Sequence, residues 1–207
     1  MIPVRLTTVL VISFFLGFCG HYETDLVEAI KKNDLASVKH LIQEGTDINK
    51  KDADSVTPLM YSATYGTEAI TALLLKKGAQ VNVVSREGLT PLVYACLNNH
   101  YEVARLLIAN KANVNFTMHD QESILMMLAV KGFVDLAKLL IDHGANVNAK
   151  TTYGATPLME ACRNRNAGMV KLLLASKADV NAKDENGETA LDHAKRTGEQ
   201  EIIRLLK

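Results

Sequence analysis

The chain has no tryptophan, and its 207 residues include only five phenylalanines and six tyrosines. A core built from it must be aliphatic, drawn from Leu, Ala, Val, Ile and Met. Net charge is missing as well. Lys and Arg number 23, Asp and Glu number 23, and the formal balance is +0. There is no long run of one sign, so no acidic or basic tail is indicated. The balance speaks against nucleic acid as a partner, because phosphate binding requires a clustered basic face. No stretch reaches the roughly 20 apolar residues that span a bilayer comfortably. Cysteine is scarce, with only Cys19, Cys96 and Cys162.

What is present is a period. Thr57-Pro58-Leu59, Thr90-Pro91-Leu92, Ser123-Ile124-Leu125, Thr156-Pro157-Leu158 and Thr189-Ala190-Leu191 start 33 residues apart, and Thr24-Asp25-Leu26 continues the series backwards. A fixed period over most of a chain means a stacked array with one continuous core. Such arrays offer a long surface and no enclosed cleft.

One unit, Thr90 to Glu122, shows the plan. Thr90 supplies a hydroxyl N-cap, and Pro91 sits at the first helical position, where its missing N–H costs nothing. Leu92, Ala95 and Cys96 follow the i, i+3, i+4 spacing of a buried stripe. Asn98-Asn99 breaks the helix. Val103, Leu106 and Leu107 line a second helix, which ends near Lys111-Ala112, where other units have Gly45, Gly78 and Gly144, suited to a left-handed cap. Val114-Asn115 then opens a loop to the next unit. Cys96 and Cys162 share one position two units apart. Helices stacked at 8–10 Å put them about 20 Å apart, beyond disulfide reach of about 7 Å. Both are expected to be small buried residues.

Thr-Pro-Leu, the pair Ala161-Cys162, Leu-Leu-Leu, Gly-Ala-x-Val-Asn and a loop Gly just before the next Thr resemble the ankyrin repeat. The resemblance covers Thr24 to Lys207. It implies an all-α solenoid of helix-turn-helix units with extended, β-hairpin-like loops, in six repeats starting near 24, 57, 90, 123, 156 and 189. No repeat has His after Thr-Pro-Leu, and Ser55 and Gln121 stand where Gly88, Gly154 and Gly187 are found. Ser123-Ile124 lacks the Thr-Pro start, which marks that repeat as the expected weak joint. The terminal repeats carry the polar residues that caps require.

The first twenty residues, MIPVRLTTVLVISFFLGFCG, are a different text. A single charge at Arg5, a short apolar core and small residues at Gly17 and Gly20 read as an export signal. The alternative is an uncleaved membrane anchor. Leu16-Gly17-Phe18-Cys19 resembles a bacterial lipoprotein box, with Phe18 as a departure. That resemblance makes Cys19 the lipidation candidate, against ordinary cleavage nearby. Residues 1–19 are then the signal, 20–23 a short tether and 24–207 the array.

Ankyrin arrays bind, by resemblance, through loop tips and the face of the first helices. The fifth and eighth residues of each repeat share a helix face. Reading across gives Tyr61 with Thr64, Tyr94 with Leu97, Met127 with Val130, and Glu160 with Arg163. The ends hold Glu28 with Lys31 and His193 with Arg196. An aromatic-aliphatic stripe between charged flanks has the character of a protein-binding site, although Met127 and Val130 also suit packing between repeats. The tips add Arg86, His119 and Tyr153 as candidate contacts. No metal spacing, phosphate loop or catalytic constellation stands out, so neither cofactor nor enzyme activity is expected. Asn115-Phe116-Thr117 forms a sequon, but Asn115 occupies the recurrent Val-Asn slot. The reading is a monomeric, exported protein-binding module, in the periplasm or membrane-attached. A secreted effector that binds host proteins is the alternative, and an enzyme with its site on the tips a weaker one.

Overall fold

Each period opens on a hydroxyl that folds back onto its own helix. The side chains of Thr57, Thr90, Ser123, Thr156 and Thr189 accept the backbone N–H three residues on, at 3.2–3.4 Å. At Thr189 the cap is reciprocal, because the Asp192 carboxylate accepts the Thr189 N–H. The structure is a computed structural model that describes residues 25–207. Cys19, the export signal and the tether lie outside the described residues.

The described residues form twelve α-helices in six pairs. They are α1 (Asp25–Lys31) and α2 (Leu35–Gln43), α3 (Pro58–Tyr65) and α4 (Glu68–Lys76), α5 (Pro91–Leu97) and α6 (Tyr101–Ala109). The series continues with α7 (Ile124–Lys131) and α8 (Val134–Asp142), α9 (Pro157–Arg163) and α10 (Ala167–Ala175), α11 (Ala190–Thr197) and α12 (Gln200–Leu205). First helices pack against first helices of adjacent pairs, and second helices do the same, giving two layers. No helix among the described residues is long and apolar enough to cross a membrane.

The loops close as narrow hairpins. Single backbone bonds, such as Ser85 N–H to Leu89 O at 2.9 Å and Met118 N–H to Glu122 O at 2.8 Å, tie each base. Asn side chains then lock one repeat to the next. Asn49, Asn82, Asn115 and Asn148 each accept, through Oδ1, a backbone N–H of the following repeat at 2.8–2.9 Å. Asn115 Nδ2 also donates to the Gly144 carbonyl at 3.0 Å. The sequon asparagine is thus engaged on both of its polar atoms.

The third tip departs from this regularity. Ser123 caps its helix as a threonine would, so the missing Thr-Pro start costs only the proline. The irregularity is instead at the tip. Without a loop glycine, Asp120 and Gln121 both take positive φ, at 55° and 59°, in a short 3₁₀ turn over His119–Gln121. Arg86, Thr152 and Glu185 each donate a backbone N–H to the preceding tip at 2.8–2.9 Å. Among the described residues no such bond joins His119 to Glu87.

The core runs unbroken from α1 to α12 and is aliphatic, as the composition requires. Leu26, Leu59, Leu92, Leu125 and Leu158 occupy one position in successive first helices and are each 1% exposed. Leu191, at the same position in the last repeat, is half-buried. Leu125 lies mid-array, where neighbours on both sides prevent collapse into a cavity. Leu125→Ala is expected to destabilise the array by about 2–5 kcal/mol, measurable by denaturant unfolding.

Cys96 and Cys162 are free and buried, and burial pushes each thiol up to about 12. A protonated, enclosed thiol is a poor nucleophile. Iodoacetamide at pH 8 should leave both unmodified in the folded protein and label both in denaturant, as read by intact mass.

Candidate protein-binding face

The first helices and the tips meet along one repeated couple. The residue at the base of each hairpin lies nine positions before the fifth residue of the next repeat, which stands on its first helix. Asp52 and Tyr61 make the first couple: the phenol donates to the carboxylate at 2.7 Å. Tyr94 reaches Ser85 Oγ at 3.2 Å and the Glu87 carboxylate at 3.4 Å. Asp184 and His193 make the last, at 2.9 Å. Burial, then the Asp52 carboxylate, raises the Tyr61 phenol above its usual value, and burial raises that of Tyr94. Both tyrosines are therefore neutral donors, half-buried and fixed in place. The ammonium of Lys31 sits 5.4 Å from the centre of the Tyr61 ring.

Where the couple is apolar it turns inward. Met118 packs against the core, and Met127 is only 6% exposed. Met127 therefore contributes no surface to the stripe in which the sequence pattern placed it. A thioether without a polar partner gains more from burial than from water. Val130, at the eighth position of the same repeat, is 43% exposed, and Leu97 is half-buried beside the core. Of the stripe read from the sequence, Tyr61, Tyr94, Leu97 and Val130 keep surface on the candidate face.

The charged end is more tightly built than its sequence suggests. Arg163 reaches Glu160 at 3.0 Å and Asp184 at 3.5 Å, and its Nε donates to His193 Nδ1 at 3.3 Å. The His193 side chain is completely buried. Its Nε2 lies 2.9 Å from Asp184 and 3.4 Å from Arg163 Nη2, and its Nδ1 lies 3.7 Å from the Glu188 carboxylate. Arg196 pairs with Glu188. Burial would raise the Asp184 carboxyl, but the backbone N–H of Glu188, the His193 ring and the N–H of Asn186 outweigh it and hold the group ionised. Asp184, Glu188 and His193 bring ligand atoms within 4.8 Å of one another. Arg163 and Arg196 already engage those atoms, so the trio has the chemistry of an ion-pair network more than of a cation site.

The tip residues remain outward. Arg86 is exposed and pairs with Asp54 at 3.3 Å, His119 lies beside Gly88, and Tyr153 is 53% exposed. Sequence reasoning missed Asp52, Ser85 and Asp184, the residues that hold Tyr61, Tyr94 and His193. The constant separation of nine was the available signal. Lys138 and Lys171, on the second helices, pair with Asp142 and Glu201 on the opposite layer.

A family model for ankyrin repeats matches residues 26–118, 108–184 and 125–207. A chain in the structure of the Bdellovibrio bacteriovorus predatory endopeptidase Bd0816 in complex with immunity protein Bd3460 is 31% identical. That match covers 88% of this chain and 96% of that one, with a TM-score of 0.75. An ankyrin repeat domain from Acinetobacter baumannii AYE is 29% identical over 87% of this chain and 95% of that one, with a TM-score of 0.81. None of the curated proteins compared with the chain matches it. Family match, helix pairing and capped periods agree, and the chain belongs to the ankyrin-repeat family.

Proposed function

We propose that this chain is an exported, non-catalytic array that binds and occludes an enzyme of its own compartment, held at an envelope membrane through Cys19. The observation that carries the binding face is the fixed couple between hairpin base and first helix. It immobilises Tyr61 and Tyr94 before any partner arrives, so little side-chain entropy remains to be lost on association. Leu97 and Val130 give the apolar centre, and the paired charges at either end give a polar rim. The class of partner is suggested by the relative from the endopeptidase and immunity-protein complex, matched along nearly its full length. Only residues 20–23 separate Cys19 from the array, so a tethered face would stay close to the membrane.

Affinity capture with residues 20–207, followed by titration of the captured protein, tests the face. Tyr94→Ala should cost about 2 kcal/mol or more, as a central aromatic anchor. Tyr94→Phe should cost less, and Lys171→Ala should leave affinity unchanged. Comparison is made at matched thermal stability. Equal losses for Tyr94→Ala and Lys171→Ala would move the interface away from the first helices.

Export is tested separately in a bacterial host. The full chain should fractionate with the envelope as a processed species carrying acyl mass. Cys19→Ala should abolish the acylation and leave an unprocessed or soluble product. Unchanged mass and fractionation in Cys19→Ala would remove lipidation and leave simple cleavage or an uncleaved anchor.

A further inference from the structure

Between the fourth and fifth tips lies an open pocket of about 250 Å³. Tyr153 forms one wall, Glu185 and Asn186 the other, Ala155 is part of the lining, and Glu160, Arg163 and Asp184 stand at the helix side. At this size it falls below the ~300–1,000 Å³ of small-molecule clefts and suits a single long side chain.

The walls are fixed. The Glu185 N–H donates to the Tyr153 carbonyl at 2.9 Å, which sets the distance between the tips. Gly154 holds the approach: at φ +76°, an added Cβ would come within 3.1 Å of the Asp184 backbone. A side chain at position 154 would push the two tips apart.

The lining is unbalanced in charge. Three carboxylates, Glu160, Asp184 and Glu185, face the one guanidinium of Arg163. Arg163 is shared between Glu160 and Asp184, so it cannot neutralise both. Glu185 has no side-chain ion pair among the described residues. The same negative field reaches Glu122, whose carboxyl is raised by burial and then by the charge of Glu160. Above this field stands the most exposed large apolar side chain of the described residues, the Tyr153 ring, whose face attracts cations.

We propose that this pocket seats a lysine or arginine side chain projecting from the protein partner, with its charge between Glu160 and Glu185 and its stem against the Tyr153 ring. The inference rests on the binding reading above and adds a chemical requirement: the partner presents a basic residue on an exposed loop. A hydrolase blocked in this way would offer a cationic side chain beside its own cleft.

The first test needs no partner. Isotope-labelled residues 20–207 are titrated with N-acetyl-arginine amide and, separately, with its neutral isostere N-acetyl-citrulline amide. The arginine probe should produce saturable shifts at the amides of Tyr153, Ala155, Glu160 and Glu185, at millimolar concentration. The citrulline probe should not. Tyr153→Phe should retain the shifts, and Tyr153→Ala and Glu185→Lys should lose them. Equal shifts with citrulline, or shifts centred elsewhere, would overturn the inference. In the complex, Glu185→Lys should weaken the partner at least tenfold and Glu185→Gln less. If Glu185→Lys binds like wild type while Tyr94→Ala does not, the pocket assignment fails and the binding face stands. If neither substitution matters, both fail.

Discussion

No helix pair in this chain can bury its apolar face alone. Each first helix is seven or eight residues long, about two turns, too short to persist in water without packing. It is held because a neighbour covers the leucine that follows its cap. Everything else in the molecule follows from that dependence. The repeats must stack, the stacking must be in register, and register is set where asparagine amides accept the next repeat's backbone N–H. Each such bond is individually worth only about 1 kcal/mol, but the ladder fixes the spacing at which leucines meet leucines.

The same register gives the candidate face its character. Because each hairpin base returns to the same place beside the next helix, one geometric slot is presented along the array with changing chemistry. Tyrosine on aspartate, tyrosine on serine, a buried methionine, a glutamate paired with Arg163 and histidine on aspartate are the successive occupants. Polar couples stand the side chain up and fix it. Where the occupant is the apolar Met127, it is drawn into the core. The face is therefore not a uniform stripe. It has an apolar middle and, toward the C-terminal end, an ion-pair network in which Arg163 is divided among Glu160, Asp184 and His193.

Local irregularity falls where sequence and geometry disagree. Ser123 looks like a lost cap and is not, since a serine hydroxyl accepts the helix N–H as well as a threonine hydroxyl does. The cost of departing from the repeat appears a few residues earlier, where a tip without glycine uses Asp120 and Gln121 in left-handed conformations. Non-glycine residues pay for that conformation sterically, and at this step the backbone bond between tips is absent. The departure from the repeat at this step is one of backbone conformation, and the helix cap on its far side is intact.

Much of this was legible in the sequence. The 33-residue spacing required a solenoid. Leucine after Thr-Pro required burial, and the shared position of Cys96 and Cys162 excluded a bridge. Asn115 belonged to the structural Val-Asn slot. These are properties of short-range order and period, which a sequence carries explicitly. The arrangement of the face was not legible, because it depends on pairs nine and about thirty residues apart whose side chains meet only after stacking. Nothing in the order of residues shows that Glu185 hydrogen-bonds across to the fourth tip, or that Arg163 reaches a histidine of the next repeat. Period decided which residues face inward. Only the distance between neighbouring repeats decided which polar groups meet, and with them where charge is left unpaired.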